Sequence, residues 1–322
     1  MTTNTKRLAP QRIAVLLGGD SAEREISLQS GAAVVSALSA GGHDVVSIDP
    51  RDVALSEFDW SKVDVAFLAL HGGAGENGEI QAVLDAAGVC YTGSGAAASR
   101  LAFSKSAAKE RFFQWNVPTP AYVLIHEADD DAQIHKRAHA VGFPLVVKPN
   151  SQGSSLGVTI VRTPEELPHA LLRCFHLDSF GVLEAAVSGT EWTQAVLDEE
   201  LLPLIQIQTH RSFFDYDAKY ADGATGYQFD FTLPRNVEAS IRSAALGAVR
   251  SLDVAGVARV DLMLDQFSRP WVLEVNTIPG LTDHSLVPKA AARKGWGLGQ
   301  LCEAAVQSAL ASQPEQDRRN AA

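Results

Sequence analysis

The sequence predicts an α/β protein of more than one domain, with a doubly wound parallel sheet at the N terminus and α+β segments after it. Three observations predict this. A strand, a glycine turn and a helix follow one another three times before Leu101, the pattern of a doubly wound sheet with its ligand edge at the carboxyl ends of the strands. After Leu101 the glycine turns give way to a lysine-bearing helix and short strands. The chain's 322 residues are also more than one hydrophobic core usually organises.

The elements follow in order. Arg12–Leu17 is a short apolar strand, and GGDSAERE after it is turn chemistry leading into a helix with Asp20 or Ser21 as N-cap. Asp44–Ile48 is a second strand. Val63–Leu70 is a third, apolar almost throughout, as a central parallel strand is. HGGAGENGE then precedes a helix over Ile80–Ala87, and Val89–Tyr91 leads through TGSG into another helix. No GxGxxG follows the first strand, which removes the usual reason to expect a nicotinamide cofactor. Phe103–Trp115 reads as one helix carrying Lys105 and Lys109. LVVKPN is a strand, Val158–Val161 its return, Pro164–Phe175 a helix with Glu165 and Glu166 in its first turn, and Val182–Glu184 a strand. From Gly189 the chain is strand-rich (TQAVLD, LLPLIQIQ). It crosses a polar loop from Phe213 to Arg235, enters a helix over Val237–Leu252, and ends in a helix over Gly299–Leu310 and a polar tail.

Composition narrows the function classes. Apolar content of 46% with 20% charged residues is that of an ordinary soluble globular chain. A net charge of −11 argues against broad nucleic-acid or anionic-membrane contact, while leaving room for a local basic pocket. Three widely spaced cysteines (Cys90, Cys174 and Cys302) form neither a disulfide framework nor a zinc signature. No apolar run approaches the ~18 residues of a membrane span, and the N-terminal MTTNTKRLAPQ lacks the apolar segment of a signal peptide. A cytoplasmic location is the expectation.

The stretch with the most chemistry is RVDLMLDQFSRPWVLEVN, two alternating runs joined by a linker of hairpin length. Pairing Asp265 with Pro270 places Asp261 opposite Glu274 and Arg259 opposite Asn276, all on one face. Val260, Leu262, Leu264, Val272, Leu273 and Val275 are assigned to the other face. Directly opposed carboxylates destabilise a sheet by up to about 1 kcal/mol. A hard cation such as Mg²⁺ between them reverses that sign, since it takes carboxylates, an amide oxygen and otherwise water or substrate phosphates.

Other motifs allow two readings each. In KPNSQGSSLGV, Lys148 ends a strand and is followed by Gly153, Ser154, Ser155 and Gly157. Glycines let the backbone approach phosphate closely and the serines supply donors, but a flexible hairpin turn has the same composition. Glu23 is either a helix-dipole acid worth about 0.3–1 kcal/mol or a ligand for an ammonium. The glycines around His71 favour an open loop over a core position. FFDYDAKYADGATGY, with Lys219 and Tyr220, is long enough for a lid. In NTIPGLTDHSLVP, Gly280, Ser285 and Leu286 can offer donors to a carboxylate or oxyanion.

Taken together, VLLGGDSAEREISLQSG, LHGG…GENGEIQ, YTGSG, VVKPNSQGSSLGV, FFDYDAKY, ARVDLMLD and EVNTIPGLTDHSLVP make the chain resemble the D-alanine–D-alanine ligases of the ATP-grasp superfamily nearly end to end. The resemblance implies three domains, 1–104, 105–187 and 188–322, with ATP gripped between the second and third. It implies two Mg²⁺ ions, or Mn²⁺ in their place, on Asp261, Glu274 and Asn276. Lys105, Lys148 and Ser155 would contact the ATP phosphates, Glu184 the adenine side and Glu191 the ribose. Glu23 would hold the ammonium of the first D-alanine near His71, linked through Ser154 and Tyr220 to the lid, which also carries Lys219. Ser285 and Leu286 would take the carboxylate of the second D-alanine, and Arg259 and Gly280 would stabilise the developing oxyanion. The product would be D-alanyl-D-alanine for peptidoglycan synthesis, made through an acylphosphate by a cytoplasmic homodimer. The chain departs from the family at Ala185 and Ala186, beside the adenine, and in the lid, where Phe214 replaces a frequent tyrosine. A D-alanyl-D-lactate ligase, another carboxylate–amine ligase of this fold and a non-catalytic nucleotide-binding module are the rivals. Tyr220 with Glu23 and Ser154 argues against the first, SAERE and HSLVP against the second, and the Arg259–Asp261–Glu274–Asn276 set against the third.

Overall fold

The computed structural model describes residues 8–208 and 226–320, and side chains as far as residue 312. Lys219 and Tyr220, with Phe214, lie outside the described residues. Contact density divides the chain into two units: Met1–Ala96 with Ala255–Ala258 and Thr277–Ala322, and Ala97–Val254 with Arg259–Asn276.

In the first unit, β1 (Arg12–Leu16) lies between β2 (Asp44–Ile48) and β3 (Val65–Leu68), parallel to both. Ile13 through Leu16 and Val65 through Leu68 are buried, which accounts for their unbroken apolar runs. Val89–Tyr91 forms only a single parallel bridge, Tyr91 with Ala66, where a strand is expected. Helix α1 (Arg24–Ala40) begins later than expected. Its N-cap is Glu23, and Ser21 instead accepts the Glu23 N–H and donates to the His71 carbonyl. Buried Ser27 ties the helix to the sheet, accepting from Gly18 N and donating to Ala69 O, each at 2.8 Å. Gly18 has φ +80°, and a Cβ there would stand 2.3 Å from the Asp49 carboxylate, so the turn after β1 demands glycine on both counts. Short α2 (Gly73–Glu76) and α3 (Glu79–Ala86) follow β3.

In the second unit the expected single helix over 103–115 is two, α4 (Ala96–Phe103) and α5 (Lys105–Gln114). The break at Ser104, which is extended, has a long-range cause: Asn150 receives the Lys105 and Ser106 N–H groups on its carbonyl and side-chain oxygens, both at 2.9 Å. Strands β4 (Tyr122–His126), β5 (Leu145–Pro149), β6 (Thr159–Val161) and β7 (Phe180–Ala185) form an antiparallel sheet in the order β4-β7-β5-β6. One face buries Ile125, Leu145, Val147 and Leu183 against α6 (Asp131–Val141) and α7 (Leu167–Phe175). Alternation then puts Val146, Lys148 and Glu184 on the other face. Pro164–Glu166, expected to open α7, is a separate 3₁₀ turn.

A six-stranded sheet follows, with β8 (Gly189–Leu197), β9 (Glu200–Leu201), β10 (Ile205–Gln208), β11 (Gly226–Gln228), β12 (Val257–Asp265) and β13 (Pro270–Asn276). Its main path runs β11-β10-β8-β12-β13, and α8 (Arg235–Ser251) packs on β13. The hairpin of β12 and β13 corrects the expected register. Its first rung is Leu264 with Pro270, and a bulge near Leu273 restores Asp261 opposite Glu274 and Arg259 opposite Asn276. The last helices are α9 (Leu286–Arg293) and α10 (Leu298–Asn320), and α10 packs on α1 and β3 of the first unit.

Candidate active site

In the second unit a cleft of about 990 Å³ opens between the free face of the four-stranded sheet and the β12–β13 hairpin. Lys105, Lys148, Ser155, Glu184, Glu191, Asp261 and Glu274 all line it. Helix α5 supplies Lys105 from its first turn, 3.8 Å from Glu274 and donating to the Gln152 carbonyl. Strand β5 supplies Lys148 and β7 supplies Glu184, and their register sets Lys148 Nζ 2.7 Å from Glu184 Oε1. Glu184 also pairs with Lys109, a residue of α5 buried completely. Burial would raise the Glu184 carboxyl, but the two ammonium groups hold it below its ordinary value. Burial pushes Lys109 down to about 8, with Glu184 opposing.

The hairpin supplies the acids. Asp261 is buried and accepts from Thr193 Oγ1 at 2.7 Å and from Arg259 Nε and Nη2 at 2.9 and 2.8 Å. Glu274 stands opposite it and is about one-third exposed, at 32% of its side chain. The bulge corrects one assignment: Leu273 lines the cleft with Met263 instead of joining the buried face, where Val272 is fully enclosed. The apolar remainder of the wall comes from Val146, Ile160, Ala185, Ala186 and Val187. Among the described residues no three acids, histidines or cysteines gather as a ready cation cage. The donor set is two carboxylates and the Asn276 amide on one sheet face. It suits a hard cation that keeps water and phosphate ligands.

The glycine-serine loop between β5 and β6 brings Ser155 to the cleft, and Ser154 and Ser155 both have positive φ, +52° and +56°. Non-glycine residues in that region carry strain of order 1–3 kcal/mol, which is commonly found at ligand clamps.

The remaining expected residues belong to the first unit. A second cleft, of about 590 Å³, is lined by Gly18, Gly19, Asp20, Ser21, His71 and Gly72. Glu23 is buried, and a Cβ on Gly72 would stand 2.7 Å from its Oε2, so the carboxylate lies against that backbone. Glu25, in the first turn of α1, fills the helix-dipole position. His71 is not in an open loop. It is 5% exposed, with Nδ1 3.1 Å from the Ile278 carbonyl and Nε2 3.0 Å from Ser30 Oγ. The carbonyl can only accept, so Nδ1 carries the proton. Ser30 shares a hydrogen bond with Nε2, donating to it when the ring is neutral, and accepts the Leu281 N–H at 3.2 Å. Ser285 occupies the N-cap position of α9 without a side-chain cap bond, and Leu286 opens the helix. The Ser285 hydroxyl accepts from Thr282 N at 3.1 Å, and a Cβ on Gly280 would stand 2.7 Å from it.

Sequence reasoning missed three supporting side chains: Lys109, Thr119 and Thr193. The one available signal was Lys109 four residues after Lys105 on one helix, which puts both on the same side.

Comparison with known proteins gives consistent matches. The model of the D-ala D-ala ligase C-terminus matches residues 112–307, and that of the D-ala D-ala ligase N-terminus matches residues 50–94. The chain is 45% identical to the D-alanine–D-alanine ligase of Ectopseudomonas mendocina, covering 90% of this chain and 92% of that protein. It is similar to the crystal structure of D-alanine–D-alanine ligase from Bacillus anthracis, with a TM-score of 0.84 and 34% identity over 95% of this chain and 99% of the other. The same enzyme complexed with ATP matches with a TM-score of 0.81 and 31% identity, again over 95% and 99%.

Proposed function

The chain belongs to the D-alanine–D-alanine ligase family, and from that membership we propose the roles its own residues play in the ATP-dependent joining of two D-alanines. The observation that carries the assignment is the juxtaposition, in one cleft, of the cross-strand acids Asp261 and Glu274 with Lys105 and Lys148.

Lys105, Lys148 and Ser155 bind the phosphates of ATP, while Ala185, Ala186 and Val187 offer an apolar surface to the adenine, with Glu184 and Glu191 at the adenine and ribose ends. Asp261, Glu274 and Asn276 would hold two divalent cations, Mg²⁺ or Mn²⁺. Such ions supply charge neutralisation to phosphoryl transfer. Glu23 orients the first D-alanine through its ammonium, with Ser154, Tyr220 and Lys219 on the lid side and His71 bracing the loop at Ile278–Leu281. The γ-phosphoryl group passes to the first carboxylate, and the resulting acylphosphate must be kept from water. Ser285 and Leu286 hold the second carboxylate so that its amine attacks the acylphosphate carbon. Arg259, oriented by its two hydrogen bonds to Asp261, and the Gly280 backbone meet the oxyanion that forms, and phosphate leaves.

Phosphate release tests the reading: D-alanine with ATP should release phosphate far faster than ATP alone, and D-alanyl-D-alanine should accumulate in equal amount. ATP consumption without dipeptide would reject it.

We further propose the division 1–104, 105–187 and 188–322. The four-stranded sheet falls within the second part and the six-stranded sheet within the third. No helix among the described residues is long and apolar enough to cross a membrane. A cytoplasmic homodimer is the arrangement the family resemblance suggests, and light scattering in solution checks it.

A further inference from the structure

Lys109 is a charged side chain buried completely, in a place where the reaction gives it nothing to touch. Lysine is rarely buried without a partner, and here its ammonium has three. It pairs with Glu184, donates to Thr119 Oγ1 at 2.7 Å, and lies 5.7 Å from the centre of the Tyr122 ring. Glu184 is thereby shared: one oxygen faces Lys109 and the other takes Lys148 Nζ at 2.7 Å. Thr119 passes the contact on, donating to the Val272 carbonyl at 2.8 Å, while Val272 N–H donates to the Pro118 carbonyl at 2.8 Å. Val272 is the residue immediately before Leu273, at the bulge that sets Glu274 opposite Asp261.

Charge counting gives these contacts a purpose. One carboxylate between two ammonium groups leaves the set with a net positive charge; Lys148 and Glu184 line the cleft, and Lys109 stands behind them. Without Lys109, Glu184 and Lys148 would close into a neutral pair. The field that Lys148 presents to an incoming polyphosphate would fall, and falls matter most where water is sparse.

We propose that Lys109 is a positioning residue for the nucleotide: by sharing Glu184 it leaves Lys148 uncompensated for the phosphates, and through Thr119 it fixes the strand beside the bulge. The inference rests on the reading of the cleft as the ATP site.

The test compares ATP with adenosine, which carries the same base and sugar without phosphate, by equilibrium titration of the full chain. Lys109→Met keeps length and volume and removes the charge, whereas Lys109→Arg keeps the charge. For Lys109→Met we expect ATP affinity to fall about tenfold or more, which is about 1.4 kcal/mol, with adenosine affinity within about twofold of wild type. For Lys109→Arg we expect the ATP-to-adenosine ratio to stay within about threefold of wild type. Equal losses of ATP and adenosine in Lys109→Met would mean a merely structural lysine and would overturn the proposal. The double variant Lys109→Met with Glu184→Gln removes the buried charges together and so guards against a failure of the single variant to fold. Its ATP-to-adenosine ratio should be at least that of wild type, because Lys148 then has no carboxylate to neutralise it. A lower ratio overturns the proposal. Failure of wild type itself to bind ATP would instead remove the nucleotide reading, and this inference with it.

Discussion

Asp265 holds the hairpin turn almost alone. Its carboxylate accepts from Phe267 N and Arg269 N at 2.9 Å, from Arg269 Nε at 2.8 Å and from Trp271 Nε1 at 3.0 Å. Burial by itself would raise this carboxyl, but the donors bring it from 3.8 to about 2. Because the folded value lies below the unfolded one, the stabilisation is complete above the unfolded pKa and is lost as pH falls through about 2. Asp265→Asn should therefore melt lower than wild type at pH 7, and the gap should narrow between pH 4 and pH 2. A gap that does not change with pH would mean the charge is irrelevant. Ser30 is the corresponding residue of the first unit, since its single hydroxyl serves both His71 and Leu281. Ser30→Ala leaves two buried polar groups short of a partner, at a cost of about 1–3 kcal/mol each at most. The expected outcome is a lower melting temperature, with a higher KM for D-alanine and an unchanged KM for ATP. A shift in the ATP value instead would contradict the role given to the Ile278–Leu281 loop. The Ser30 bond to His71 is not legible in the sequence. Ser30 is one of several serines on α1, and only the fold shows which of them faces residue 71.

At the scale of elements, the bulge in β13 decides what faces the cleft. Val272 is fully buried while Leu273 lines the cleft wall, so truncating each should have a different effect. Val272→Ala should lower stability by about 1–2 kcal/mol in denaturant melts and leave nucleotide affinity nearly intact. Leu273→Ala should cost less stability and more affinity for adenosine and ATP alike, since it removes apolar wall. The reverse pattern would mean that the hairpin is unbulged in solution. The sequence could not separate these registers. Pairing Asp265 with Pro270 without a bulge, and Leu264 with Pro270 with one, both bring Asp261 opposite Glu274. Period-two counting was therefore sound for the acids and blind to Leu273. The break between α4 and α5 was hidden for a similar reason. Phe103-Ser104-Lys105 has no glycine or proline to stop a helix, Ser104 makes no side-chain cap bond, and the group that receives the first N–H groups of α5 is Asn150, just after β5. Strands β1 and β3, by contrast, were legible because burial on both faces leaves an apolar run with little else to be.

For the molecule as a whole, the assignment stands or falls on Asp261 and Glu274, the pair proposed to hold the divalent cations. Glu274→Gln should lower kcat by about a hundredfold or more, about 2.7 kcal/mol in barrier, and leave the melting temperature within a few degrees of wild type. Chelation of divalent ions should stop phosphate release from wild type, and added Mg²⁺ should restore it. A folded Glu274→Gln enzyme with wild-type turnover would remove the carboxylate from the metal site. Most of this was readable because long motifs occur in family order. Lys109 was not, because its spacing from Lys105 says nothing of its partners: Glu184 lies far on in the chain, and Thr119 reaches it only through the turn after α5. The same interleaving of the chain has a consequence for its synthesis. The second unit is closed by Asn276, but the first, begun at the N terminus, is completed only by Thr277–Ala322. On a ribosome the unit translated first must then be the unit finished last, with the surface of α1 and β3 that α10 covers exposed throughout. Nascent chains arrested with residues up to about 280 outside the exit tunnel should protect the second unit from protease while leaving 8–96 open to cleavage. A chaperone that binds early apolar strands would find its longest engagement there.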